Sequence, residues 1–143
     1  MSEVKKGMTV WNGGIKQGEG YISTESKALN KAPFSLKTRF EGKPGTNPEE
    51  LIAAAHSACF SMALSLALEQ ANHVPECIET HAEVTLSKVS DGFEVTASHL
   101  ICKAKVPNLL EADFHKIAED TKKNCPISKL LKAKITLSAS LES

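Results

Sequence analysis

The sequence predicts an α+β chain in which two groups of strands are separated by one long apolar helix and followed by shorter helices and a last strand. Three observations carry that prediction. Alternating apolar and polar residues recur before residue 41 and again from Glu79 to Val106. Asn47-Pro48 opens a run rich in alanine and leucine that continues to about Ala71. Leu110 to Lys123 places Phe114, Ile117 and Ala118 on one helical face. With 143 residues, the chain has the length of one domain spanning 1–143, or of one subunit of an oligomer.

In chain order, Met8 to Trp11 reads as a strand, and Asn12-Gly13-Gly14 reads as a tight turn. Ile15 to Ser26, with Gly18 and Gly20, reads as a long and partly exposed strand. Phe34, Leu36, Thr38 and Phe40 alternate with Ser35, Lys37 and Arg39. This predicts a strand with Arg39 facing away from Phe40. Glu41 to Asn47 is a loop. Asn47 then suits an N-cap, Pro48 the first helical position, and Glu50 the third residue after the cap. The helix should end near Asn72-His73, ahead of Pro75. His81 to Val89 and Phe93 to Val106 flank Ser90-Asp91-Gly92, a hairpin signal. Cys125-Pro126 opens a short helix to about Lys132, and Ile135, Leu137, Ala139 and Leu141 alternate in a final strand.

Charge and composition exclude several classes of function. Seventeen basic and seventeen acidic residues cancel, and Arg39 is the single arginine. This predicts no nucleic-acid partner, because phosphate and guanine recognition leans on several guanidinium forks. Leu51 to Leu68 carries no formal charge over 18 residues, which touches the lower limit of a membrane span. Its alanines, three serines and His56 fit a core helix better, so no membrane partner is expected. The opening MSEVKKGMTVWNGG does not read as a signal peptide, and the expected location is the cytoplasm, with reduced thiols.

Cys59, Cys77, Cys102 and Cys125 are separated by 18, 25 and 23 residues, so no C-x-x-C redox or zinc pair is present. The five histidines show no H-x-x-x-H spacing, and no metal site is predicted; they read as surface or hydrogen-bonded residues. Gly18-Glu19-Gly20 lacks the third glycine of a phosphate loop. Cys77 and Cys102 lie in strand-like surroundings and read as structural. Cys59 lies mid-helix, where a cysteine is commonly a small buried hydrophobe. Cys125 precedes Pro126 at a helix N-terminus, where unpaired amides favour a thiolate. Cys125 also reads simply as a cap.

The specific strings go further. TRFEG at 38–42, GTNPEELIAAAHSACFSMALSLAL at 45–68, SDGFEVT at 90–96, NCPIS at 124–128 and LKAKITLSASL at 131–141 together resemble the OsmC/Ohr family of thiol peroxidases, and the OsmC branch more than the Ohr branch. The resemblance covers essentially the whole chain. It implies a cysteine peroxidase without metal, haem or other cofactor. Its peroxidatic cysteine would be Cys59, its resolving cysteine Cys125, its activating arginine Arg39 and its glutamate Glu49. It also implies an intertwined homodimer with long helices at the centre, and a dithiol reductant such as a dihydrolipoyl-bearing protein. Organic hydroperoxides would be preferred to hydrogen peroxide if Phe40, Phe60 and Met62 form an apolar entrance. The competing readings are a general thiol–disulfide oxidoreductase and a non-catalytic stress protein.

One expectation follows from helix geometry. Glu49 precedes Cys59 by ten residues, about 15 Å of axial rise on a regular helix. An arginine–carboxylate pair cannot bridge that span to its own Cys59, so Glu49 should serve the cysteine of a second chain. The alternative is a helix that starts after Glu49, with the preceding loop folding back.

Overall fold

The computed structural model describes residues 1–142 and groups the chain into two units, Met1–Leu51 and the part from Ile52 onward. Mixed helix and sheet is what the sequence pattern predicted.

In the first unit, β1 (Gly7–Asn12), β2 (Glu19–Thr24) and β3 (Ala32–Phe34) form an antiparallel sheet in that order. The long strand expected from Ile15 is shorter, because Ile15 to Gln17 belongs to the turn. Gly18 closes that turn by donating its N–H to the Gly14 carbonyl at 2.7 Å. A Cβ on Gly18 would lie 2.2 Å from that same oxygen, so only glycine lets β2 begin at Glu19.

The strand expected over Phe34–Phe40 is a correction. Only Ala32–Phe34 is extended, and Leu36–Phe40 forms a one-turn helix, α1. A reciprocal capping box overrides the alternation: Thr38 N–H donates to Ser35 Oγ at 3.2 Å, and Ser35 N–H donates to Thr38 Oγ1 at 2.8 Å. On a helix, neighbouring side chains lie about 100° apart instead of on opposite faces. Arg39 therefore sits over the Phe40 ring, 5.5 Å from its centroid, contrary to the expected opposition.

The loop after α1 is stitched back to the sheet. Thr46 N–H donates to the Pro33 carbonyl at 2.9 Å, and Thr38 Oγ1 donates to the Thr46 carbonyl at 2.8 Å. Gly45 permits this closure: its φ is +148°, and a Cβ there would lie 2.6 Å from the Pro33 oxygen.

The long helix α2 spans Pro48–Gln70. Its start follows the sequence reading, with Glu50 N–H donating to Asn47 Oδ1 at 2.8 Å. The Glu50 carboxylate instead accepts from Thr46 Oγ1 at 2.7 Å. At the other end Asn72 takes φ +67°, and His73 N–H reaches the Leu68 carbonyl at 2.8 Å while Asn72 N–H reaches Glu69 at 2.9 Å. That pair of bonds is a Schellman stop. α2 is long and apolar enough to cross a membrane by length and composition. However, its buried residues fall at four-residue intervals, His56, Phe60, Leu64 and Leu68, which is one stripe of a helix laid on a core.

In the second unit that stripe packs with Leu100, Cys102, Ala104, Phe114 and Ala118. Each fully buried leucine or phenylalanine contributes about 1.5–3 kcal/mol relative to exposure. The sheet beneath is β4 (Cys77–Val89), β5 (Gly92–Lys105) and β6 (Lys134–Glu142), in that order. β4 and β5 form the expected hairpin, joined through Ser90-Asp91. β6 pairs parallel to β5. A parallel pair demands a crossover, and α3 (Glu111–Asn124) and α4 (Pro126–Leu130) supply it. Cys125 is the joint between them. Its N–H donates to Thr121 at 2.9 Å, ending α3, and its carbonyl accepts from Lys129 at 3.1 Å, beginning α4.

Candidate active site

Arg39 and Glu49 form one half of the predicted site, and the structure brings them together within the first unit. Arg39 Nε donates to Glu49 Oε1 at 2.8 Å and Arg39 Nη2 donates to Oε2 at 2.9 Å. This two-toothed pairing is the geometry that only a guanidinium fork makes. α1 and the first turn of α2 hold the two side chains in place. Glu49 is the better shielded partner, with 13% of its side chain exposed against 36% for Arg39. Beside Arg39 lies a cleft of about 180 Å³ whose lining includes Trp11, Ile15, Phe34 and Leu36. The apolar surroundings of Arg39 are therefore other residues than those expected from the sequence. Phe60 is fully buried in the core of the second unit, Phe40 is half exposed, and Met62 is 76% exposed.

Cys59 and Cys125 form the other half, within the second unit. All four cysteines are free thiols among the described residues. The Cys125 thiol is hydrogen-bonded to Cys59, and the Ile127 backbone N–H donates to the Cys59 sulfur. Sixty-six residues of sequence separate two groups that the α3–α4 crossover returns to contact. Burial pushes the Cys59 thiol above its ordinary pKa; the Ile127 amide pulls it down, and the adjacent Cys125 pushes it further up. The amide of α4 that the sequence reading offered to Cys125 is thus spent on Cys59. Cys125 itself is completely buried and packs with the core cluster.

The other two cysteines have separate surroundings. Cys77 is exposed at the start of β4. Cys102 is buried on β5, where burial raises its pKa and a hydrogen bond with Thr80 opposes the rise.

Three residues were not singled out from the sequence as part of a site: His56, Ser98 and Ser128. His56 is fully buried and its ring nitrogens meet Ser98 Oγ at 2.7 Å and Ser128 Oγ at 2.8 Å. Two spacings hinted at them, since His56 stands three before Cys59 and Ser128 three after Cys125. Residues three apart on a helix are neighbours.

A family model described as OsmC-like protein matches residues 40–140. The Peroxiredoxin OsmC of Escherichia coli (strain K12) is 51% identical over 139 residues, covering 97% of each chain. The Organic hydroperoxide resistance protein-like 2 of Staphylococcus epidermidis is 36% identical over 98 residues, 66% of each chain. Among solved structures, the Organic Hydroperoxide Resistance Protein OhrB of Bacillus subtilis superposes with a TM-score of 0.68 at 23% identity, covering 96% of this chain and 98% of that one. The OsmC like protein from Mycoplasma pneumoniae superposes with a TM-score of 0.77 at 15% identity over the whole of both chains. At such identities the structures speak for the fold, and the sequence matches speak for descent. The family model over residues 40–140 and the 51% identity over 97% of each chain make this chain a member of the OsmC family.

Proposed function

We propose that the chain is a two-cysteine peroxidase that reduces organic hydroperoxides, and hydrogen peroxide less well, in defence against oxidative and osmotic stress. Membership of the OsmC/Ohr peroxiredoxin family supports peroxidase activity. The observation that carries the mechanism is the contact between the free thiols of Cys59 and Cys125. The Cys59 thiolate attacks the terminal oxygen of the hydroperoxide and the O–O bond breaks. The alkoxide takes a proton and leaves as alcohol, and Cys59 becomes a sulfenic acid. The Cys125 sulfur attacks the Cys59 sulfur, hydroxide departs with a proton as water, and a disulfide forms. An external dithiol then reduces that disulfide by two exchange steps and is itself oxidised. A protein-borne dihydrolipoyl group is the reductant we favour, since its two thiols complete both steps within one molecule.

The activation of Cys59 asks for a cation. Burial raises its pKa, and one amide is a modest counterweight. Arg39, oriented by Glu49, is our assignment for that cation, and it acts across a homodimer. α2 begins at Pro48, which supports the cross-chain arrangement over one in which the helix starts after Glu49. Ten residues of helix place Glu49 and Cys59 of one chain about 15 Å apart along the axis. Arg39 is held by Glu49 through two hydrogen bonds. A two-fold dimer with antiparallel α2 helices exchanges the pairs between chains. It also covers Met62 and Leu66, which are 76% and 57% exposed. The apolar cleft beside Arg39 favours an organic substituent on the peroxide. In this reading the two units work as one functional domain. Four free thiols suit a reducing compartment, and the cytoplasm is our assignment.

The test is steady-state reduction of cumene hydroperoxide with dihydrolipoamide. The wild-type chain should turn over repeatedly and Cys59→Ser should not turn over at all. Multiple turnovers by Cys59→Ser would remove the assignment.

A further inference from the structure

α4 is five residues long, too short to hold its shape through its own hydrogen bonds. Yet it presents two groups to the Cys59 sulfur: the Cys125 thiol at its cap and the Ile127 N–H in its first turn. Something outside α4 must fix it. Ser128, the residue after Ile127, is almost fully buried and its hydroxyl lies 2.8 Å from His56 Nε2. His56 Nδ1 in turn lies 2.7 Å from Ser98 Oγ on β5, where Ser98 pairs with Val84 of β4. The imidazole is completely buried and grows from α2 one turn before Cys59. A neutral imidazole carries one donor and one acceptor, so one serine donates to it and the other accepts from it. Both ring nitrogens are used.

We propose that His56 is a positioning residue of the peroxidase reaction, whose bridge between Ser98 and Ser128 clamps α4 so that the Cys125 thiol and the Ile127 amide stay on the Cys59 sulfur. His56 does not meet peroxide. It acts through α4 on two steps: the amide stabilises the thiolate that attacks, and the held thiol shortens the life of the sulfenic acid. Burial lowers the pKa of His56, which keeps the ring in the neutral form that the bridge uses. The resolving step rests on the peroxidase reading; the thiolate step does not, since it requires only the Cys59–Ile127 contact.

The experiment compares wild-type chain, Ser128→Ala, Ser128→Thr and His56→Gln, each checked by circular dichroism. Two quantities are read: the pH dependence of Cys59 alkylation by iodoacetamide, followed on the Cys59 peptide, and the rate of Cys59–Cys125 disulfide formation after one equivalent of cumene hydroperoxide, with dimedone trapping the sulfenic acid. In Ser128→Ala the alkylation curve should move to higher pH. Disulfide formation should slow about tenfold, the effect of one lost buried hydrogen bond, and trapped sulfenic acid should rise. Ser128→Thr, which keeps the hydroxyl, should restore both. Wild-type alkylation and resolution in folded Ser128→Ala, or equal defects in Ser128→Thr and Ser128→Ala, would overturn the proposal. If Ser128→Ala does not fold, His56→Gln decides by the same two readings. A wild-type chain that forms no disulfide would refute the peroxidase reading alone, because the alkylation curve still reports whether the bridge places the Ile127 amide.

Discussion

Replacing Arg39 with lysine keeps the charge and removes the fork. In the native pair, two hydrogen bonds of 2.8 and 2.9 Å run in parallel to the two oxygens of Glu49. A lysine ammonium is a single point and spans one oxygen at a time. It also gives up the guanidinium's position over the Phe40 ring, 5.5 Å from its centroid. A hydrogen bond to a charged group contributes about 1.5–3 kcal/mol net. Because 36% of the Arg39 side chain meets solvent, the lower end is the fair figure. A loss of about 1.4 kcal/mol from the oriented cation is about a tenfold fall in kcat/KM. If Arg39 activates Cys59 as proposed, the Cys59 pKa should rise in parallel, since burial already pushes it up. The assay is kcat/KM for cumene hydroperoxide with excess dithiol, together with the alkylation pKa of Cys59. Wild-type values of both in Arg39→Lys would refute the reasoning. One of the other sixteen basic residues, all lysines, would then be activating the thiol.

Three further outcomes are expected. Cys125→Ser should consume one equivalent of hydroperoxide and stop, with Cys59 held as sulfenic acid or oxidised beyond it, as mass spectrometry would show. Mixing Cys59→Ser with Glu49→Ala, each inactive alone, should restore up to one working site per mixed dimer; a mixture as dead as its parts would place Glu49 and Cys59 of one chain in the same site. The pKa of His56 is lowered by burial from 6.5, so above that value the ring is neutral in folded and unfolded chains alike. As pH falls below it the unfolded chain takes up a proton that the folded chain resists, and stability falls by up to about 1.4 kcal/mol per pH unit from this group. Thermal unfolding between pH 7 and pH 5 should show this loss in wild type and less of it in His56→Gln.

What could be read from sequence follows the range of each interaction. The start of α2 was legible because Asn47, Pro48 and Glu50 are a local signal, and its end because Asn72 tolerates positive φ. The hairpin at Ser90-Asp91 and the alternation from Ile135 to Leu141 were legible for the same reason. Phe34 to Phe40 was misread although its capping residues were in view. Ser35 and Thr38 bond each other across one turn, and four alternating residues are too few to outweigh that. Ile15 was misread because the closure at Gly18 depends on backbone contact with Gly14. Of the candidate residues, Arg39, Glu49, Cys59 and Cys125 were reached through whole strings that resemble a family. Residue chemistry alone left Cys59 as a core cysteine and Cys125 open between an activated thiol and a cap. His56 lay beyond both routes: its partners are 42 and 72 residues away, and only the folded chain shows that two serines claim its nitrogens.

The most direct test of the account is a thiol count after a single oxidising hit. Fully reduced chain is treated with one equivalent of cumene hydroperoxide, quenched by alkylation and mapped by peptide mass spectrometry. The account predicts the loss of two thiols as one Cys59–Cys125 disulfide, with Cys77 and Cys102 still free. Four alkylated thiols, or a disulfide that includes Cys77 or Cys102 in place of Cys125, would contradict it.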